Sequence, residues 1–474
     1  MGPEAAARTP VATAATPSVR ERGSRSEVWH ARLALHPGRW LLAAALATAL
    51  LWFSHLPSLL LHAQFYADDG SWYQAAYAHG PLLSLLLPAN GYLVLLQRLG
   101  ASLSLLLPTI AVPTFFNVLA LLVEAGGVCY LLSARMAAAI PSLGARLAIA
   151  ALVIALPNAY DTSGNLTNAQ WHLGLIAFLV VFARPSRGTG DRAVDGGILL
   201  LSGLTGPYCL MLEPIVAWRW LRARDDRRRR AILALNSACA AVQLVTIAGA
   251  VGVRQGWTAL DAGVSPLVTA LGRQLTLGLL VGAHGLNGLT GSALVDDPVV
   301  LGVLAAIPLA ACGWAMWRGP SMLRSFCVFA AIELALALAT PAVAPPRWPD
   351  LGRPADVVTF HPGGIRYFLY PLLAFALSLG WLVVEGVRRE LARGRGGRVA
   401  APRLPLAVAR AVASGASVLL LVAALDGVTV DWVYPPYLDL HWAAQVQRLQ
   451  DAPAGTPVVI PLNPPGFTVT LVAR

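Results

Sequence analysis

The sequence predicts an all-α polytopic membrane protein with about eleven transmembrane helices, N-terminus inside and C-terminus outside. Three observations carry that expectation. Apolar residues make up 57% of the 474 and charged residues 12%, against ~45–50% and ~25% in ordinary globular chains. Apolar runs near the ~20-residue length that crosses a bilayer recur along the chain. All 35 basic residues are arginines, and they flank those runs. A soluble protein could not cover its surface with so few charges, and a disordered or disulfide-built chain fails on the same composition.

Residues 1–39 read as a disordered cytoplasmic head, too long and too mixed for a signal peptide. The run 40–61 is then an uncleaved first span. Others follow near 110–133, 144–158, 170–184, 230–252, 298–317, 322–343, 366–387 and 405–426. Between them, Gly206-Pro207 divides 194–220 into two short halves, a tight helical pair or a broken helix. The transmembrane domain covers 40–426. This layout places 27 arginines on the cytoplasmic side and 8 outside, as the positive-inside rule requires. Outer loops fall at 62–109, 253–297 and 345–365. Residues 427–474 form a small extracytoplasmic cap: a short helix near 438–450, a strand-like Val458–Leu462 and a proline turn.

Net charge is +11, but the arginines form no patch with interleaved aromatics, so no nucleic acid partner is expected. The five cysteines are dispersed in apolar runs without C-x-x-C spacing and read as packing residues. No phosphate-cradling glycine loop of either common spacing is present. Chemistry is expected at the outer face, without direct use of ATP.

The sharpest motif is Tyr66-Ala67-Asp68-Asp69-Gly70-Ser71-Trp72-Tyr73, just beyond the first span. Neighbouring residues on a helix point ~100° apart. Asp69 suits a helix N-cap, leaving Asp68 to face a cleft as a general base or, with Asp69, as a metal ligand. Both also read as caps of a surface helix. Residues 80–100 have apolar runs too short to span, broken at Pro88-Ala89-Asn90-Gly91, and should lie along the interface.

An aspartate-bearing first outer loop (Asp68-Asp69), a following interfacial helix, spans of uneven length and an outer C-terminal piece resemble the GT-C superfamily of membrane glycosyltransferases. The resemblance implies a polyprenyl-phosphate-linked sugar as donor and basic residues of a late loop near the donor phosphate.

Two further clusters suit such chemistry. In the outer turn 158–172, Asn165, Asn168, Gln170, Trp171 and His172, with Trp72, could hydrogen-bond and stack on a sugar or acceptor. The same stretch also reads as a turn and helix cap with Trp171 as an interfacial anchor. Asn165-Leu166-Thr167 matches a glycosylation sequon. At the entry to a later span, His361-Pro362-Gly363-Gly364-Ile365-Arg366 offers an anion nest and a guanidinium fork, with Arg353 on the same loop. Arg366 equally reads as a residue snorkelling to the interface.

The expected activity is an inverting hexosyl- or pentosyltransferase of a prokaryotic inner membrane. It would pass sugar from a polyprenyl-phosphate carrier to a cell-envelope glycan or glycolipid acceptor among membrane lipids. Asp68 would take the acceptor proton, and Arg366, His361 and Arg353 would hold the donor phosphate. A divalent cation (Mg or Mn) at Asp68 and Asp69 is compatible with the motif but not required. The rival reading is a transporter or lipid flippase, for which Glu124, Glu213 and Glu333, in or near spans, are the main support.

Overall fold

Long apolar stretches become helices, and proline or glycine stands at several of the breaks between them, though Pro214 and Pro308 lie inside helices. The computed structural model describes residues 37–89, 91–185, 188–250, 264–339, 362–394 and 406–474. The chain divides into two units, 1–40 and 41–474. Of the first unit only 37–40 are described, as the opening turn of helix α1 (Pro37–His55). The head therefore falls almost wholly outside the described residues, as do 253–263 of the 253–297 loop and 345–361 of the 345–365 loop.

Pro57 ends the first apolar run, and one turn, α2 (Ser58–Leu61), follows it. The first loop then holds α3 (Asp69–His79) and α4 (Leu95–Ser104), ahead of α5 (Val112–Leu132). Next come α6 (Leu143–Ile154), capped by the Ser142 side chain on Ala145 N–H, and α7 (Ala169–Phe182). The 194–220 run divides as its Gly-Pro pair predicts. Gly206 takes φ +81°, between α8 (Thr189–Gly203) and α9 (Tyr208–Leu221). The later helices are α10 (Arg227–Ala250), α11 (Val264–Thr269), α12 (Gly278–Gly288), α13 (Ala293–Asp296), α14 (Pro298–Arg318), α15 (Ser321–Ala339), α16 (Leu369–Gly394) and α17 (Leu406–Thr429). A π-helical segment, Ala270–Leu277, joins α11 to α12. Helix α14 starts as proline and aspartate chemistry dictates: Pro298 opens it, and the Asp297 carboxylate accepts from Val299 N–H (2.7 Å) and Val300 N–H (3.1 Å).

Among the described residues, five helical stretches are long and apolar enough to cross a membrane: Thr109–Leu132, Arg227–Ala250, Pro298–Arg318, Gly364–Leu391 and Ala407–Thr429. Leu143–Ile154 and Ala169–Phe182 are apolar but shorter. Other stretches expected as spans are shorter than the ~20 residues a crossing needs: Leu143–Ile154 has 12 and Ala169–Phe182 has 14. Burial sorts the long stretches: 67% of the apolar window in Gly364–Leu391 is enclosed, but only 11% of that in Ala407–Thr429. Helix α16 is central, and α17 covers it from outside.

The main core gathers around α7, α9, α15 and α16, with Phe178, Tyr208, Phe329, Tyr370 and Phe375 fully buried. At the end of the bundle away from the first loop, Asp195 receives Arg135 Nη1 (2.6 Å) and Nη2 (2.5 Å), with Arg228 at 3.7 Å. Arg135 and Arg228, two of the arginines expected on the cytoplasmic side, thus converge on one carboxylate.

The tail corrects the all-α expectation. A short helix is present, but it starts at Trp442 (α18, Trp442–Asp451), after Pro435-Pro436 and a left-handed His441. Two strands follow, β1 (Pro457–Leu462) and β2 (Phe467–Val472), paired antiparallel as a hairpin. Val458, Ile460 and Leu462 alternate inward on β1. They join Phe65, Trp72, Phe116, Leu166 and Trp442 in a second core that fastens the tail to the first loop. Gly70 lets α3 and the hairpin approach closely: a Cβ there would meet the end of the Leu462 side chain, which would have to shift.

Candidate functional site

The first loop turns sharply before α3. Ala67 takes φ +47°, its N–H donates to Asn463 O, and Asp69 N–H donates to Tyr66 O. Contrary to the sequence expectation, Asp69 is not the N-cap. Asp68 occupies that position, without a capping hydrogen bond from its side chain, and Asp69 is the first helical residue. The reason is Thr167. Its N–H (2.8 Å) and its hydroxyl (2.7 Å) both donate to Asp69 Oδ1, while Tyr66 N–H donates to Oδ2 (3.3 Å). Asp69 is fully buried, and burial pushes its carboxyl up to about 7 despite these donors. Asp68 stays partly exposed. Trp72, also buried, braces the same point, donating Nε1–H to Thr167 Oγ1 (3.2 Å) beneath the Arg98 guanidinium.

Asp69 already faces N–H and O–H donors, and among the described residues no group of three or more His, Cys, Asp or Glu side chains is placed to hold a metal.

The turn 158–168 is built by its own amides. Asn158 takes φ +56°, and Gly164 (φ +78°) donates its N–H to Glu124 Oε1 (2.7 Å). Asn168 N–H donates to Asn165 Oδ1 (2.8 Å), Asn168 Nδ2 to Asp161 O (2.6 Å), and Asn165 Nδ2 to Ser163 O (3.1 Å). The His172 ring bonds Thr162 O (3.2 Å) and packs edge-on against Trp52. Asn165 and Thr167 are buried, so the sequon lies inside the fold. Trp171 meets Tyr208, Tyr367 and Tyr370 edge-on, and Tyr370 OH donates to its carbonyl. Among the described residues, Trp171 Nε1, Gln170 Oε1 and Asn168 Oδ1 are buried without a hydrogen-bond partner.

The third segment, a 3-10 turn at Pro362–Phe368, packs against the 3-10 turn Tyr160–Thr162. Arg366 lies over the Tyr367 ring, 5.2 Å from its centroid, and in the fields of Asp161 and Asp68. The first loop, the 158–168 turn and the entry to α16 thus bring two carboxylates and a guanidinium together. His361 and Arg353 lie outside the described residues.

Two participants, Asp161 and Tyr437, are not among the site residues that the sequence singles out. Tyr66 OH donates to Asp161 Oδ1 (2.5 Å), and Tyr437 of the tail stacks on Tyr66 with ring centroids 5.3 Å apart. Asp161 stands in the polar turn already noted, and its single acidic letter there was the available signal. Nothing in the sequence around Tyr437 pairs it with Tyr66.

No family model and no curated protein matches the chain. Among solved structures, the crystal structure of ArnT from Cupriavidus metallidurans bound to undecaprenyl phosphate is similar, at 15% sequence identity and a TM-score of 0.36, over 82% of this chain and 74% of that one.

Proposed function

We propose that the chain is a GT-C-type glycosyltransferase that moves a hexosyl or pentosyl group from a polyprenyl-phosphate carrier to a glycan or lipid acceptor at the outer face of the inner membrane. The observation that carries this reading is the meeting of Asp68, Asp161 and Arg366 at one end of the bundle. In the reaction, the acceptor oxygen attacks the anomeric carbon, its proton passes to Asp68, and the bond to the carrier phosphate breaks. Arg366 stands where the leaving phosphate gains negative charge, so its attraction grows toward the transition state. Asp161 and Tyr66 hold that corner of the site. Asp69 positions the loop that presents Asp68. Direct displacement inverts the anomeric centre.

The transporter alternative needs polar groups along a path through the spans. Two of the three glutamates are committed elsewhere. Glu124 holds the 158–168 turn, and Glu213 accepts from Asn236 Nδ2 and Ser237 Oγ, each at 2.5 Å. Glu333, buried with both oxygens unpartnered among the described residues, is the feature that favours transport.

The test is Asp68→Asn and Arg366→Ala at matched expression, with envelope glycans and carrier-linked sugars measured. Asp68→Asn is expected to lower transfer by about 10²–10⁴-fold, with donor accumulating in both variants. Unchanged glycans without donor accumulation in either variant would remove the enzymatic reading.

A further inference from the structure

Asn463, in the turn of the tail hairpin, grips two segments at once. Its N–H donates to Phe65 O (3.2 Å), and its carbonyl accepts from Ala67 N–H. Its side chain accepts from Leu438 N–H (2.9 Å) and donates to Leu438 O (3.0 Å). Residues 65–67 and residue 438 are therefore fixed against each other. Between these anchors Tyr437 lies nearly parallel to Tyr66, at 21°.

The Tyr437 hydroxyl is buried and has no hydrogen-bond partner among the described residues; the Asn165 side chain adjoins it outside hydrogen-bonding geometry. Such a group in a braced setting calls for an explanation. Its surroundings choose the kind of partner. Asp69, Asp161 and Glu124 all act on this hydroxyl. A sugar hydroxyl, which both donates and accepts, suits a corner shared by a phenol and several carboxyl groups, where an ionised phosphate oxygen only accepts. Phosphate belongs at the guanidinium of Arg366.

We propose that Tyr437 binds the transferred sugar, its hydroxyl bonding a hydroxyl of the sugar ring, and that the tail hairpin completes the donor site. The inference rests on the transferase reading above. A hydrogen bond of this kind discriminates by sugar hydroxyls and not by the lipid chain.

The experiment measures binding of undecaprenyl phosphate, undecaprenyl-phosphate glucose and undecaprenyl-phosphate arabinose to the full chain in detergent, as wild type, Tyr437→Phe and Arg366→Ala. The wild type is expected to bind at least one sugar-bearing lipid more tightly than the bare carrier. Tyr437→Phe should lose that advantage, about tenfold, with bare-carrier affinity unchanged. Arg366→Ala should weaken all three. The proposal is overturned if Tyr437→Phe keeps the sugar advantage, if it loses carrier affinity equally, or if the wild type shows no advantage for either sugar. A wild type that binds none of the lipids overturns the transferase reading as well.

Discussion

Asp68 and Asp69 are adjacent letters in opposite environments. The ~100° between helical neighbours made a division of labour legible, one inward and one toward a cleft. It did not reveal which would cap the helix, because the deciding partner, Thr167, belongs to another loop. Asp69, raised to about 7, is favoured neutral by the fold. Its contribution is therefore fully present below its unfolded value of ~3.9 and is lost as pH rises toward 7. In detergent melts, the wild type should lose stability relative to Asp69→Asn between about pH 4 and pH 7. A constant difference between the two across that range would contradict the assignment. At lower pH, Asp69→Asn should itself cost about 1–3 kcal/mol, since an amide turned toward Tyr66 N–H sets donor against donor.

At the scale of elements, the breaks announced themselves where proline or glycine stood at them. Pro57 ends the first run, and Gly206-Pro207 separates α8 from α9. The second tail strand was harder to see, since Phe467–Val472 follows a proline turn and earns its place only by pairing with β1. Another junction was equally hidden. The Asp431 carboxylate accepts from Asn158 N–H (2.6 Å), Ala283 N–H (3.0 Å) and His284 N–H (3.2 Å), and pairs with the His284 ring (2.9 Å). It thereby joins the 158–168 turn to the kink at Gly282, where φ is +60°. Asp431→Ala leaves those buried donors unmet and should cost about 3–5 kcal/mol, read as a lowered melting temperature. A melting temperature equal to wild type would show that the junction does not hold the turn.

For the molecule as a whole, composition and arginine placement made the helical membrane class legible, because both report the solvent around the chain. The candidate site was half legible. Asp68 and Arg366 stand out by residue type at the ends of apolar runs, and the structure brings their charges within reach of each other. What tightens the cluster, Tyr66 on Asp161 and Tyr437 on Tyr66, joins positions far apart in sequence with no shared pattern. Asn165, Asn168 and His172 stood out as a sugar surface, yet most of their polar atoms build the turn itself. Local pattern shows which residues are polar; only packing shows which of those are already spoken for.

The most direct measurement is a double-mutant cycle on transfer rate with Asp68→Asn, Arg366→Ala and the pair combined, at matched folded protein. Residues acting on one transition state should give a double variant little worse than the poorer single one. Losses that multiply would mean the carboxylate and the guanidinium serve separate sites, and the mechanism proposed here would be wrong.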